Sequence, residues 1–253
     1  MTLIDTHAHL YYDKMFNNLD VVIQEAKKNS VKKIICIGTD LKTSKQSVDI
    51  AEKYNNIYAA VGIHPHDSKD VNKDYINELE ILVKKSKKVI AIGEIGIDHF
   101  RNLSPKKIQE KVMIEQIELA KSLSLPIIFH NRDADNDILE ILKCHPIEKA
   151  LAHCFSSDLN FAKELLDINV LLSFSGNVTF KNSINQTALK NISLKNFVLE
   201  TDCPFLAPQP FRGKPNEPKY VKDIAMFISE FLDIDFEEIA KQTTKNAEEF
   251  FNI

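Results

Sequence analysis

The sequence predicts a TIM (β/α)8 barrel, a single domain spanning residues 1–253. Three observations carry that prediction. Eight short apolar runs alternate with longer amphipathic stretches. That many alternations in 253 residues match the size and rhythm of such a barrel. No G-x-G-x-x-G exists among only six glycines, so the main rival, an open doubly wound sheet, lacks its usual phosphate turn.

The elements follow in order. Leu3–Thr6 is the first strand, and Val21, Val22, Ala26 and Ser30 fit one face of the helix after it. Lys33–Gly38 and Ile57–Gly62 are strands on either side of a helix over Lys42–Tyr54. A helix over Lys73–Lys87 leads to the strand Val89–Glu94. Ser104-Pro105 then reads as a helix start, with Ser at the cap and Pro at the first helical position. Ile108, Val112, Glu115, Leu119 and Leu123 share a face of that helix. The strands Pro126–His130, Ala150–His153, Val170–Phe174 and Phe197–Glu200 alternate with helices over Asp135–Lys143, Leu159–Asp167 and Lys181–Lys190. These strand runs are rich in β-branched and other apolar residues, as parallel strands buried on both faces should be. Cys203–Pro218 holds five of the nine prolines and reads as a stiff, ordered loop. A helix over Pro218–Leu232 follows, and Asp235 reads as the N-cap of the last helix, with Glu237 and Glu238 at its positive end.

Composition bounds the function. The apolar fraction of 44% excludes general disorder. A net charge of −4 excludes a globally basic nucleic-acid coat, so any bound anion must be captured locally. No run approaches the roughly 18 apolar residues of a membrane span. The first strand begins at Leu3, which leaves no room for a secretory leader. The cysteines Cys36, Cys144, Cys154 and Cys203 show no C-x-x-C spacing and read as buried reduced thiols. The expectation is a cytoplasmic protein with no membrane association and no obligate protein partner.

The histidines carry most of the functional reading. Seven of the eight lie at or just beyond the end of a predicted strand, and only His145 does not. In a barrel that rim builds the active site. His7 and His9 are two apart, so both imidazoles point the same way and can clamp one divalent ion. Asp5, two residues upstream, can orient a ligand. Glu94 sits inside an apolar run where an unpaired carboxylate is costly, and metal coordination offsets that cost. His130 and His153 end adjacent strands. Asp202 follows the last strand as a ligand, a general base, or both; Glu200, of the same parity, reads as structural. The set is His7, His9, Glu94 and Asp202 for one ion, and Glu94, His130 and His153 for a second. Such nitrogen and oxygen donors suit Zn, Mn, Fe or Ni, with Mg possible. A carboxylate-bridged pair of ions is hydrolytic machinery. His64 and His66 either face the same cavity as phosphate ligands or proton donors, or cap and pack their loop. Arg132, Arg212 and Lys214 are either anion clamps or solvated charges.

These residues lie in motifs that resemble one family. Asp-Thr-His-Ala-His, Gly-Ile-His-Pro-His, Gly-Glu-Ile-Gly-Ile-Asp, Pro-Ile-Ile-Phe-His-Asn-Arg-Asp-Ala, His-Cys-Phe-Ser, Glu-Thr-Asp-Cys-Pro-Phe-Leu-Ala-Pro and Arg-Gly-Lys-Pro-Asn-Glu-Pro are together similar to the TatD-related deoxyribonucleases. The resemblance runs from about residue 3 to residue 250. It implies a TIM barrel with two divalent metal ions (Mg, Mn or Zn) and hydrolysis of DNA phosphodiester bonds by a metal-activated water, often as a 3′-to-5′ exonuclease. It matches His7 and His9 to the first metal pair, Glu94 to the bridging carboxylate, His130 and His153 to the second-metal ligands, and Asp202 to ligand and base. His64 and His66 match substrate-side histidines. Three departures stand out: Ser157 replaces a glycine, His99-Phe100 replaces an aromatic pair, and Phe205 replaces a tyrosine. The implied substrate is single-stranded or end-frayed DNA, since the net charge of −4 does not suit an extended duplex platform. The alternative is a metal-dependent ester or amide hydrolase on the same barrel, acting for example on aminoacyl-tRNA. A non-enzymatic barrel would not need all six ligands intact.

Overall fold

Eight parallel strands lie side by side in the order in which the chain makes them. The computed structural model describes residues 2–253. The strands are β1 (Leu3–Ala8), β2 (Val31–Ile37), β3 (Ile57–Val61), β4 (Val89–Asp98), β5 (Ile127–Arg132), β6 (Ala150–Ala152), β7 (Val170–Phe174) and β8 (Phe197–Leu199). All eight expected runs are strands, alternating with helices as the (β/α)8 barrel requires. β4 runs past Glu94 to Asp98. The helices are α1 (Asp13–Phe16), α2 (Leu19–Lys28), α3 (Leu41–Lys53), α4 (Tyr75–Lys85), α5 (Lys106–Ser122), α6 (Asp135–Cys144), α7 (Leu159–Asp167), α8 (Asn185–Asn191), α9 (Val221–Leu232) and α10 (Phe236–Phe251). No helix among the described residues is long and apolar enough to cross a membrane.

Two compact units divide the chain. The first holds the residues up to Cys36, Cys154–Ala162 and Leu172–Ile253. Within it the chain's first and last strands meet: Ala8 bridges Cys203, His9 N–H donates to Cys203 O, and Asp202 N–H donates to His7 O. Asp235 caps α10 as expected, accepting from the Glu237 N–H at 2.7 Å. The second unit holds Ile37–His153 and Lys163–Leu171. There β3, β4 and β5 pair in parallel, and α3 starts on a reciprocal cap in which Asp40 accepts from Thr43 N–H at 2.6 Å.

Several local expectations shift. In α2 the buried stripe is Leu19, Val22, Ile23 and Ala26. Val21 is 58% exposed, and Ser30 lies beyond the helix at φ 69°. In α5 the buried stripe is Gln109, Val112, Met113, Gln116, Ile117, Leu119 and Ala120. Ile108 and Glu115 lie off it, because two buried glutamines hold places where hydropathy reads a polar face. Ser104 does not cap α5. Its hydroxyl donates to His66 O at 2.8 Å and accepts from Lys69 N–H at 3.1 Å, and Pro105 takes the cap position. The cysteines are not uniformly buried: Cys36 and Cys203 are, Cys154 is half-buried and Cys144 is exposed, and no disulfide joins them.

Candidate active site

Two clusters of histidines and carboxylates form, one in each unit. In the second unit β4 supplies Glu94 and Asp98, four apart and so on one face of the strand. Two glycines let β5 approach. A Cβ on Gly93 would lie 2.8 Å from Ile128, and one on Gly96, at φ +136°, would lie 2.1 Å from the His130 carbonyl oxygen. Glu94 Oε1 then sits among three imidazoles: His153 Nε2 at 3.0 Å, His130 Nδ1 at 3.1 Å and His64 Nε2 at 3.3 Å. Asp98 Oδ2 lies 2.7 Å from His66 Nε2 and 3.4 Å from His130 Nε2.

Helix α5 holds this cluster's backbone. Gln116 accepts from Ile63 N–H at 2.7 Å and donates to Ile63 O at 3.1 Å. Gln109 accepts from Asp98 N–H at 2.8 Å and donates to Ser104 O at 2.7 Å. Two glutamines seven residues apart, on one helical face, thereby fix the residue before His64 and the last residue of β4. Burial works against the Glu94 anion, but the surrounding histidines outweigh it and hold the carboxyl well below its ordinary range. Burial likewise opposes the Asp98 anion, and His130, the Arg101 N–H and His66 more than offset it. Burial pushes the His64 imidazole down to about 4. For His130 burial acts the same way, but Asp98 and Glu94 prevail and raise it.

In the first unit His7 ends the buried face of β1 and His9 follows it. Their Nε2 atoms converge to 3.2 Å, so the two imidazoles do face the same way. Asp202 Oδ1 lies 3.3 Å from His9 Nε2 and 3.9 Å from His7 Nε2. The Tyr11 hydroxyl lies 3.1 Å from His9 Nδ1, which fixes that ring. Asp202 adopts φ 56°, a left-handed turn that Asp tolerates better than most residues. The turn is held from both sides. Asp5 accepts from Thr201 N–H at 2.9 Å, Thr201 OH at 2.6 Å and His7 N–H at 3.3 Å. Asn216 donates to Thr201 O at 2.8 Å and Phe205 O at 2.6 Å. Asp5 thus ties the ends of β1 and β8 together; these bonds go to backbone and hydroxyl, not to an imidazole. Its burial pushes the carboxyl up to about 8, against the pull of the Thr201 and His7 bonds. Glu200 accepts from Cys154 N–H at 2.8 Å and Ser173 OH at 2.5 Å, and its carboxylate also comes within 4.8 Å of a His7 ring nitrogen.

The donors fit a divalent cation. Atoms bound about 2.0–2.2 Å from one ion lie about 3.0–3.6 Å from each other, close to the spacings within His7, His9 and Asp202. Two Nε2 atoms facing at 3.2 Å can share one proton at most. His64, Glu94 and His130 also offer one donor each within 4.8 Å of one another. The buried His130 Nε2 has no hydrogen-bond partner among the described residues, although Asp98 lies nearby. Imidazole nitrogens with carboxylate oxygens form a ligand set for such ions.

Residues 4–252 match the family model described as TatD related DNase. The chain belongs to that family. It is 44% identical, over 99% of each chain, to an uncharacterized metal-dependent hydrolase of Bacillus subtilis, YabD. It is 33% identical to the uncharacterized metal-dependent hydrolase YcfH of Escherichia coli K12, over 100% of this chain and 97% of that one. The crystal structure of a TatD homologue from Escherichia coli K12, YjjV, superimposes with a TM-score of 0.95 at 28% identity, covering 99% of this chain and 98% of that one. This TatD-family chain is a metal-dependent hydrolase with His, Glu and Asp clusters able to hold metal.

The remaining expected site residues stand as follows. His66 pairs with Asp98. The guanidinium of Arg132, the last residue of β5, lies 3.9 Å from the Phe100 ring centroid. That of Arg212 lies 4.3 Å from the Phe180 ring centroid. Lys214 N–H donates to Phe211 O. Among the described residues no hydrogen bond or ion pair joins Arg132, Arg212 or Lys214 to either cluster. Sequence reasoning missed Asp98, Tyr11, Gln109, Gln116, Thr201 and Asn216. Asp98 had a signal in its shared strand face with Glu94, and Thr201 and Asn216 lie within the family-like motifs.

Proposed function

We propose that the protein is a deoxyribonuclease that hydrolyses phosphodiester bonds at single-stranded or frayed DNA ends, with 3′-to-5′ polarity. The observation that carries this reading is the pair of donor clusters, each built on a carboxylate faced by imidazoles, in a member of the TatD related DNase family. In the form the motifs imply, His7, His9, Glu94 and Asp202 would hold one divalent ion, and Glu94, His130 and His153 a second. When bound, such ions (Mg, Mn or Zn) would supply Lewis acidity toward a water and charge neutralisation toward a phosphate oxygen.

The chain's own groups do the rest. Asp202, on its braced turn, orients the attacking water and accepts its proton. Tyr11 holds the His9 ring in one orientation, as the outer partners of metal-ligating histidines do. His64 and His66 lie beside the Glu94 and Asp98 carboxylates, where they orient substrate. Arg132, Arg212 and Lys214 supply positive charge for phosphates, and their number suits a few nucleotides better than a long duplex. A cytoplasmic location accords with cysteines that form no disulfide.

The test is one gel. Metal-stripped protein is incubated with 5′-labelled and 3′-labelled single-stranded DNA, with and without Mg or Mn, beside Glu94→Gln. Metal-dependent laddering that the variant loses supports the reading, and the end that shortens gives the polarity. Intact DNA with every metal, together with turnover of an ester or amide panel, would replace it.

A further inference from the structure

We propose that Tyr12 and Phe205 form a stacking subsite for one unpaired nucleobase of the substrate, beside the His7, His9 and Asp202 cluster. The proposal rests on the nuclease reading above and adds a residue-level account of how a strand end is held.

Tyr12 is 41% exposed and Phe205 is 47% exposed. Large aromatic rings left in water forgo hydrophobic stabilisation that burial would give. Here two such rings are neighbours, meeting edge to face with centroids 5.5 Å apart. Each also lies 6.1 Å from the His9 ring. The exposed aromatic surface therefore begins at a residue that carries the chemistry.

Both rings stand on rigid supports. Tyr12 stacks on the buried Tyr11 ring, with centroids 5.2 Å apart and planes 25° from parallel. Tyr11 in turn contacts His9 Nδ1. Phe205 is fixed through its backbone: its N–H donates to Asp202 O at 2.9 Å, and its carbonyl accepts from Asn216 at 2.6 Å. The Asn216 amide that braces the Asp202 turn thus also holds Phe205. A ring tied to Asp202 and a ring tied to His9 keep a fixed distance from the reacting groups. A flat heterocycle fits this surface better than an aliphatic or peptidic group, because every base has a π-face and stacks irrespective of its identity. Phe205 carries no hydroxyl, so on this side it offers stacking without hydrogen-bond readout. Base-independent binding follows. A base paired within a duplex has both faces covered and cannot enter, so the subsite selects single-stranded or frayed ends.

The experiment uses the full chain and a short oligonucleotide with 2-aminopurine at its terminal nucleotide. A matched oligonucleotide carries an abasic terminal residue. Binding to the chelator-treated protein is read by fluorescence quenching and, for the abasic strand, by competition. Cleavage is read separately with metal. The wild type should quench 2-aminopurine and prefer the base-bearing strand. Tyr12→Ala with Phe205→Ala should abolish the quenching and lose about ten- to a hundredfold in that preference, the size of one base–aromatic stack. Tyr12→Phe and Phe205→Tyr should restore both. Equal loss on base-bearing and abasic strands, or no loss on either, overturns the subsite while leaving a cleaving wild type a nuclease. Quenching and preference without cleavage would sink the nuclease reading and leave the subsite. A wild type that neither binds nor cleaves sinks both.

Discussion

In the cluster built from β3 to β6, one oxygen of Glu94 lies 3.0–3.3 Å from three imidazoles, and Asp98 engages a fourth, that of His66. In the cluster built from β1 and β8, one oxygen of Asp202 lies 3.3 Å from His9 Nε2 and 3.9 Å from His7 Nε2. The surroundings differ as well. The first cluster is pinned through backbone by Gln109 and Gln116 of a long helix, and its carboxylates are neutralised from within. The second depends on a left-handed turn tied by Asp5 and Asn216, and its edge carries exposed aromatic rings. The contrast teaches a division of labour. A carboxylate saturated by histidines is a fixed anchor for cations. A carboxylate carried on a braced turn, farther from its imidazoles, is placed to work on water and substrate.

The largest expected effect tests the anchor. Glu94→Gln keeps the shape and removes the charge that the three histidines share. Bound metal, counted per chain by mass spectrometry, should fall by at least one ion. Turnover should fall on the order of a thousandfold, since several kcal/mol of charge stabilisation come with the ion. Unchanged metal content and turnover would make Glu94 a structural charge only. Paired variants sharpen the comparison: His9→Asn and His130→Asn should each lose about one ion, and loss of all metal from either one would show that the clusters do not load independently.

The next effect tests the carboxylate on the turn. Asp202→Asn suits the same left-handed turn, because Asn tolerates positive φ as well as Asp does. Metal content should drop far less than in Glu94→Gln. Turnover number should still fall roughly a hundred- to ten-thousandfold, the usual contribution of a positioned base. A variant with wild-type turnover would remove Asp202 from proton transfer and leave it a ligand.

The features legible in the sequence are those with a local period or a local boundary. The His-x-His pair shares a face because strand side chains alternate, and Glu94 stood out as a charge inside an apolar strand. The long-range supports carried no such mark. Thr201 meets Asp5 across 196 positions, and nothing near either residue announces the pairing. Gln109 and Gln116 misled in the opposite direction. A buried amide looks like the polar face of an amphipathic helix, which turned the expected stripe of α5 toward Ile108 and Glu115.

These supports give the smallest effects, read as stability on chelated protein so that metal does not mask them. Gln116→Leu removes both partners of the Ile63 peptide while filling similar volume, and Thr201→Val removes one donor to Asp5. Each leaves buried polar groups without a partner, at a cost of about 1–3 kcal/mol. For a chain of this length that corresponds to a melting temperature lowered by about 2–4 °C per kcal/mol. The two should diverge in function. Gln116→Leu acts on a cluster that Gln109 and the surrounding strands still hold, so its turnover with saturating metal should fall less than tenfold. Thr201→Val loosens the turn that carries Asp202, so its turnover should fall about ten- to a hundredfold, as loss of an outer support does. Equal losses in the two variants would mean that both clusters are braced alike, and the distinction between a fixed anchor and an adaptable working carboxylate would fail.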